Sequence, residues 1–253
     1  PQSVLAEISL LQQKYNPDQL WFADDLFTLK RDWVMSLTEL MIDQKIQIPF
    51  ECLARVDRID PDLLRNLHLA GCYRIWFGAE SGSETMIHTM NKGFQIPQVR
   101  QAVDWTQKSG IDAGLFILIG YPGETLADLW KTLRMIKELN PEACGNSVAY
   151  PIKGTPFYDL VKHKLSADYA WSKRNENRIA FRGRYPELFY WFAIRLVNNW
   201  AFFWRGVEER DKVGSQSIRA AKCLIAGSIV LTIGCFYDFT QLISKKNNHD
   251  YSP

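Results

Sequence analysis

Through about the first 150 residues, short apolar runs alternate with amphipathic stretches of helical period, and nothing else in the sequence constrains the fold as strongly. Leu20-Trp21-Phe22-Ala23 is a short apolar run ending in Asp24-Asp25. A helical pattern covers about Asp32 to Gln44, and Ile46 to Cys52 reads as a strand. Pro61 suits the first turn of a helix over Asp62 to Ala70, which Gly71 closes. Tyr73 to Phe77 is a third strand, leading to Gly78. A helix is expected from about Pro97 to Ser109, with Gly110 as the glycine that ends it. Ala113 to Ile119 is the most apolar strand, stopped by Gly120-Tyr121-Pro122-Gly123. The next helix, about Leu126 to Leu139, ends before Pro141, and a final strand covers about Ala143 to Tyr150. Such alternation implies βαβ units and a parallel sheet. Right-handed crossovers place every helix on one side if that sheet curls into a barrel. Five strands are too few for a closed eight-stranded barrel, so a doubly wound open sheet is the structural competitor.

From about Tyr158 the texture changes. Strand signals stop, and two apolar-rich helical stretches follow, around Pro186 to Arg210 and Ser217 to Ile243. The first carries Phe189, Tyr190, Trp191, Trp200, Phe202, Phe203 and Trp204. The second has an uncharged run from Cys223 to Tyr237, shorter than the ~18 residues expected of a membrane span. Helices packed against the core are therefore favoured over insertion, while the aromatic density leaves a peripheral membrane contact open. Lys245 to Pro253 is polar and expected to fray. The division expected is a core over residues 1–160 and a helical region over 161–253.

Charge and cysteine usage narrow the classes. Thirty basic against 28 acidic residues gives a net charge of +2, with Lys and Arg scattered, so nothing argues for nucleic acid. Five cysteines (Cys52, Cys72, Cys144, Cys223, Cys235) are widely spaced, with no metal-knuckle pair and no secreted disulfide framework, which suits a reducing cytoplasmic setting. The N-terminus lacks an initiator Met and a signal core, and runs straight into a helical pattern through Val4, Leu5, Ile8 and Leu11. We read it as expected for a piece of something longer.

Active sites of parallel α/β proteins form at the carboxyl ends of strands. Each predicted strand here ends in polar or turn-forming residues: Asp24-Asp25; Arg55 and Asp57; Glu80-Ser81-Gly82-Ser83; Gly120-Tyr121-Pro122-Gly123-Glu124; and Tyr150-Pro151. Singly, each has a structural reading. Asp24-Asp25 can cap a helix, Ser81 and Ser83 are good N-caps for a short helix through Met86 and Met90, and Arg55 can pair with Asp57. Glu124 is favourable at a helix N-terminus. All five arriving in order at strand ends is harder to attribute to turn chemistry.

As an ordered set these segments resemble the radical S-adenosylmethionine (SAM) enzymes. Phe22-Ala23-Asp24-Asp25-Leu26-Phe27-Thr28, Arg55-Val56-Asp57 and Gly78-Ala79-Glu80-Ser81-Gly82-Ser83 look like successive core motifs of that family. Met90-Asn91-Lys92-Gly93, Gly120 to Thr125 and Pro151-Ile152-Lys153-Gly154-Thr155-Pro156 continue the series. The resemblance covers about residues 1 to 160. It looks closest to the branch with an N-terminal cobalamin-binding domain, which includes methyltransferases and the anaerobic magnesium-protoporphyrin ester cyclase type. Tyr185 to Arg195 is similar to that branch, less specifically.

The resemblance implies an α/β fold, a partial (βα)6 radical SAM barrel lacking its first strand, followed by the α-helical region. It implies an enzyme that cleaves SAM reductively with a four-iron four-sulfur cluster, releasing a deoxyadenosyl radical for hydrogen abstraction. Cobalamin-dependent methyl transfer or oxidative cyclisation would follow. By similarity Asp24 and Asp25 would meet the SAM ammonium. Glu80, with Ser81 beside it and Arg55 nearby, would accept from the ribose hydroxyls, and Lys92 would face the carboxylate. Gly120, Pro122, Tyr150 and Pro151 would line the adenine. The family's Cys-x3-Cys-x2-Cys cluster loop is missing, so the ligands, like any cobalamin domain, are expected upstream and the 253-residue chain is expected to be inactive alone. Implied partners are a small-molecule substrate, hydrophobic if the aromatic-rich helices are a guide, and an electron donor of the flavodoxin or ferredoxin type. Two other readings stay open: a non-catalytic relative that keeps the barrel as a scaffold, and a methylthiotransferase-like enzyme, against which the helical C-terminus argues.

Overall fold

The computed structural model describes residues 1–165, 179–208 and 213–249. Its elements follow the alternation read from the sequence: α1 (Gln2–Tyr15), β1 (Leu20–Phe22), α2 (Arg31–Asp43), β2 (Phe50–Ala54), α3 (Pro61–Leu69), β3 (Cys72–Glu80), α4 (Glu84–Thr89), α5 (Ile96–Lys108), β4 (Asp112–Ile119), α6 (Leu126–Leu139), β5 (Ala143–Val148), α7 (Pro156–Val161), α8 (Glu187–Glu208) and α9 (Val213–His249). The strands form one sheet in the order β1-β2-β3-β4-β5. β1 runs parallel to β2, with Leu20 opposite Phe50, and β2 parallel to β3, with Cys52 opposite Ile75. Sequential order with a helix in each connection is what right-handed βα units produce.

Local chemistry explains the boundaries. α3 starts where Asp60 accepts from the Asp62 and Leu63 amides at 3.1 and 3.0 Å, with Pro61 in the first turn. α6 matches expectation at both ends: Thr125 and Asp128 form a reciprocal capping box, and Asn140 closes the helix at φ 42. The second strand starts later than the apolar run suggested. Lys45 turns the chain at φ 54 and Pro49 has no N–H for a ladder, so pairing begins at Phe50, whose N–H reaches Gly71 O at 3.0 Å. The third strand runs on through Gly78 and Ala79, so Glu80 is its last residue. The fifth stops at Val148, two residues short of Tyr150; that residue precedes Pro151, which is itself without a ladder donor.

Two compact units result, each described by itself. The first comprises Pro1–Ala79, Gly93–Phe116 and Pro141–Cys144. Its core is the apolar face of α2, α3 and α5 with the early strands: Leu37, Met41, Phe50, Leu63, Leu64, Leu67, Ile75 and Val99 are fully buried. Trp76 stacks on Phe116 with centroids 4.7 Å apart, and its indole N–H donates to Glu51 at 2.9 Å. The second unit comprises Glu80–Lys92, Ile117–Asn140 and the described residues from Gly145 onward. There α8 and α9 pack against each other and on α6. Trp200 donates from its indole to Leu133 O at 2.8 Å. The Tyr185 hydroxyl accepts from the Leu126 amide at 2.7 Å and donates to Asp238 at 2.8 Å. The two C-terminal helices are thus present as expected. α9 is longer than the sequence pattern, running through Lys245 to His249 where fraying was anticipated. Arg210, the expected end of the first of them, and residues 250–253 of the polar tail lie outside the described residues.

Candidate functional site

In the first unit, Asp24 and Asp25 lie just beyond β1 and are exposed, and the rings of Phe22 and Phe27 pack 4.6 Å apart. Arg55 follows β2 and binds Asp57 through two parallel contacts, Nε to Oδ1 at 2.8 Å and Nη2 to Oδ2 at 3.1 Å. The hydrogen bond from Arg55 outweighs partial burial and holds the Asp57 carboxyl below its ordinary range. The Arg55 guanidinium also lies over the Phe94 ring at 5.8 Å. The local pairing foreseen for Arg55 and Asp57 is therefore present.

In the second unit, Glu80 closes β3 at φ 59, a left-handed conformation uncommon for a residue with a Cβ. Its carboxylate meets Lys92: Nζ to Oε1 is 2.6 Å, with side chains 32% and 16% exposed for Lys92 and Glu80. Lys92 is delivered by a turn in which Asn91 (φ 52) and Gly93 (φ 73) are both left-handed, and its own amide bonds Ile87 O at 3.2 Å. The two sequence candidates with opposite charge, twelve residues apart, are thus in direct contact. The pair joins a carboxylate that accepts up to four hydrogen bonds to an ammonium that gives three.

Ser81 and Ser83 are used differently from the expectation. Both are fully buried. Ser81 Oγ lies 3.2 Å from Thr132 Oγ1 and accepts from the Ser83 amide. Ser83 stands at the α4 N-cap position but makes no side-chain cap; its hydroxyl donates to Asp128 at 2.6 Å, because a buried carboxylate is the stronger acceptor. Burial pushes Asp128 up, but hydrogen bonds from Ser83, Thr125 and Lys131 outweigh it and hold the carboxyl below its ordinary range. The sequence reading missed Asp128 and Thr132, although Thr125-x-x-Asp128 carries the spacing of a capping box.

Gly120 follows β4 at φ 82, and an added Cβ would lie 2.9 Å from Tyr190 Cε1 and 3.3 Å from Val148 Cγ1. Glu124, expected to favour a helix N-terminus, turns inward instead: it is 5% exposed and accepts the Gly120 amide at 2.6 Å. Burial pushes its carboxyl up to about 8, with Asp128 adding to the rise and the Gly120 bond opposing it. Pro122 is half-buried in this turn. Tyr121 stacks on Phe157 at 5.0 Å, over a small core of Ala149, Val161 and Phe181. Tyr150 is half-buried and Pro151 buried just beyond β5.

Residues 1–136 match the Radical SAM superfamily profile. The chain belongs to the radical SAM superfamily. It is 26% identical over 171 residues to an uncharacterized methyltransferase of Pyrococcus horikoshii, covering 67% of this chain and 37% of that protein. It is 25% identical over 164 residues to the anaerobic magnesium-protoporphyrin IX monomethyl ester cyclase of Rubrivivax gelatinosus, covering 64% and 29%. Among solved structures, the radical SAM methyltransferase TsrM from Kitasatospora setae, with cobalamin and a [4Fe-4S] cluster bound, superposes with a TM-score of 0.60 at 16% identity, covering 67% of this chain and 36% of that one. That likeness identifies the fold as the radical SAM barrel rather than a doubly wound open sheet. The chain spans about a third of the length of these relatives.

Members of the superfamily bind SAM and a four-iron four-sulfur cluster, and the two groups fare differently against the residues present. The accessible Lys92–Glu80 pair fits an organic zwitterion bearing a carboxylate and hydroxyls. The cysteines do not fit a cluster. All five are free, and burial pushes Cys72 well up, Cys144 to about 12 and Cys223 to about 11, away from the thiolate a cluster needs. No cluster of three His, Cys, Asp or Glu suited to a metal occurs among the described residues.

Proposed function

We propose that the protein carrying this chain cleaves SAM reductively and applies the product to hydrogen abstraction, leading to cobalamin-dependent methyl transfer or oxidative cyclisation. When bound, SAM supplies the deoxyadenosyl group that abstracts hydrogen. The chain's own residues bind and orient it. Lys92 is the cation for its carboxylate, and Glu80 accepts from its ribose hydroxyls while keeping Lys92 in place. Asp24 and Asp25 are assigned as the acceptors for its ammonium, and Arg55, paired with Asp57, as a further contact. The Gly120 turn, Pro122, Tyr150 and Pro151 offer backbone groups and apolar surface to the adenine, and Ser81 acts by fixing the turn after Glu80. Cluster ligands and cobalamin would come from residues outside this chain, as would the contact with a flavodoxin- or ferredoxin-type electron donor. Free cysteines suit a cytoplasmic, reducing setting for a small, hydrophobic substrate.

The observation that carries this reading is the half-accessible Lys92–Glu80 pair at the end of β3, with Glu80 held in a left-handed conformation. In the whole protein, reconstituted anaerobically, Lys92→Met and Glu80→Gln should each lower deoxyadenosine production at least tenfold. Undiminished production by both variants would remove these residues from SAM binding.

A further inference from the structure

The turn between β3 and α4 is tied to α6 by a ring of hydroxyl groups whose contacts fix where each proton goes. Ser81, Ser83, Asp128 and Thr132 are all buried. The Thr132 hydroxyl gives its one proton to Asp128 O at 3.1 Å and accepts the Gly82 amide at 2.9 Å. Ser81 Oγ, 3.2 Å from Thr132 Oγ1, is then the donor of that pair, and it accepts the Ser83 amide at 3.2 Å. Ser83 gives its own proton to Asp128 Oδ1 at 2.6 Å. The same oxygen meets Lys131 Nζ at 3.2 Å, while Oδ2 takes the Thr125 hydroxyl at 2.6 Å and the Thr125 amide at 3.1 Å. With every one of these groups donating to it, the carboxylate serves as an ionised acceptor. Capping α6 uses only its Thr125 side. The Ser83 side caps no helix, since Ser83 makes no side-chain cap on α4.

Resting on the assignment of Lys92 and Glu80 to SAM, we propose that Asp128 and Thr132 are positioning residues for that pair. The turn they hold is the root of both partners. Glu80, left-handed at φ 59, comes immediately before it. α4 begins immediately after it, at Glu84, and leads through the left-handed Asn91 to Lys92. Gly82, within the turn, lies so near α6 that an added Cβ would stand 2.5 Å from Lys131 O. Releasing Gly82 or Ser83 from α6 frees the backbone that keeps Glu80 in a conformation a residue with a Cβ seldom adopts. The 2.6 Å contact between Lys92 Nζ and Glu80 Oε1 loosens with it. Being buried, Asp128 and Thr132 act on the ligand only through Glu80 and Lys92.

The test is SAM binding to the whole protein, reconstituted anaerobically, by equilibrium dialysis, with hydrogen exchange at the Gly82 and Ser83 amides as a second reading. Thr132→Val keeps the shape and removes the hydroxyl; it should weaken SAM binding about tenfold and quicken exchange at both amides. Thr132→Ser keeps the hydroxyl and should bring both readings to within about twofold of the parent. Asp128→Asn retains one acceptor oxygen, which serves Thr125 or Ser83 but not both, and should weaken binding about fivefold. Ser83→Ala, which breaks a single link, carries the test if thermal melting shows Thr132→Val to be unfolded. Glu80→Gln is dialysed alongside. If it weakens binding while the Thr132→Val and Asp128→Asn variants bind as the parent does, the positioning role is overturned and the SAM assignment stands. If Glu80→Gln itself binds as the parent does, the assignment fails and the positioning role with it. Equal weakening by Thr132→Ser and Thr132→Val also overturns the proposal, because the effect would then belong to packing rather than to the hydroxyl.

Discussion

Glu124 offers the sharpest quantitative test of the fold around the Gly120 turn. Its carboxyl is pushed up to about 8 by burial, against 4.5 in an unfolded chain. Below pH 4.5 both states hold the proton. Between 4.5 and 8 the unfolded chain releases a proton that the folded chain keeps, so stability falls as pH rises, and the loss is complete above 8. At ~1.4 kcal/mol for each tenfold change in proton affinity, the loss between pH 5 and pH 8 is about 3 kcal/mol. Glu124→Gln keeps an oxygen to accept the Gly120 amide, now at 2.6 Å, and removes the proton. The difference in unfolding free energy, variant minus parent, should therefore grow in the variant's favour by about 3 kcal/mol from pH 5 to pH 8. Urea denaturation followed by tryptophan fluorescence measures it, and hydrogen exchange at the Gly120 amide gives a local second reading. A difference that stays flat across this range would refute a neutral, desolvated Glu124.

Two further substitutions probe the supports of the same unit. Gly82→Ala would set a Cβ 2.5 Å from the Lys131 carbonyl oxygen and 2.7 Å from Thr132 Cα, backbone that cannot yield, so thermal and urea unfolding should show a loss of about 3 kcal/mol or more. Tyr185→Phe deletes the hydroxyl that satisfies the buried Leu126 amide and bonds Asp238; it should cost about 1–3 kcal/mol in the same assay, and hydrogen exchange should quicken at the start of α6.

What could be read from the sequence was what local chemistry decides. Gly71 and Gly110, at φ 100 and 78, end their helices as their spacing indicated, and the capping box and Asn140 made both ends of α6 legible. Errors came where one residue type permits two outcomes. Gly78 follows the strand expected over Tyr73 to Phe77 yet lies inside β3, and the apolar run from Ile46 pairs only after Pro49. The strand-end positions of the candidate residues followed from glycine and proline punctuation. Their partners did not, because these meet across long stretches of chain. Ser81 meets Thr132 fifty-one residues on, Asn146 meets Asn198, and Tyr185 meets Asp238. No period or spacing encodes such contacts. Even the Lys92–Glu80 pair depends on the left-handed conformations of Glu80, Asn91 and Gly93, which folding rather than composition imposes on the two residues that are not glycine.

These long-range contacts share one anchor. α6 supports the turn after β3 through Thr132, whose hydroxyl accepts the Gly82 amide at 2.9 Å, and through Asp128, which accepts the Ser83 hydroxyl. The residue two before α6, Glu124, ties down the turn after β4 by accepting the Gly120 amide. The candidate ribose acceptor Glu80 and the candidate adenine wall at Gly120 therefore take their backbone geometry from one short stretch, Glu124 to Thr132. The Tyr185–Asp238 pair fixes the start of that stretch from α9. A buried polar network of this kind holds its geometry only while every member is satisfied, so a lost partner within it displaces the turns it serves. The aromatic C-terminal helices thus bear on the candidate site through α6. A substitution that breaks the Tyr185–Asp238 pair would therefore be felt at the Gly120 turn through α6.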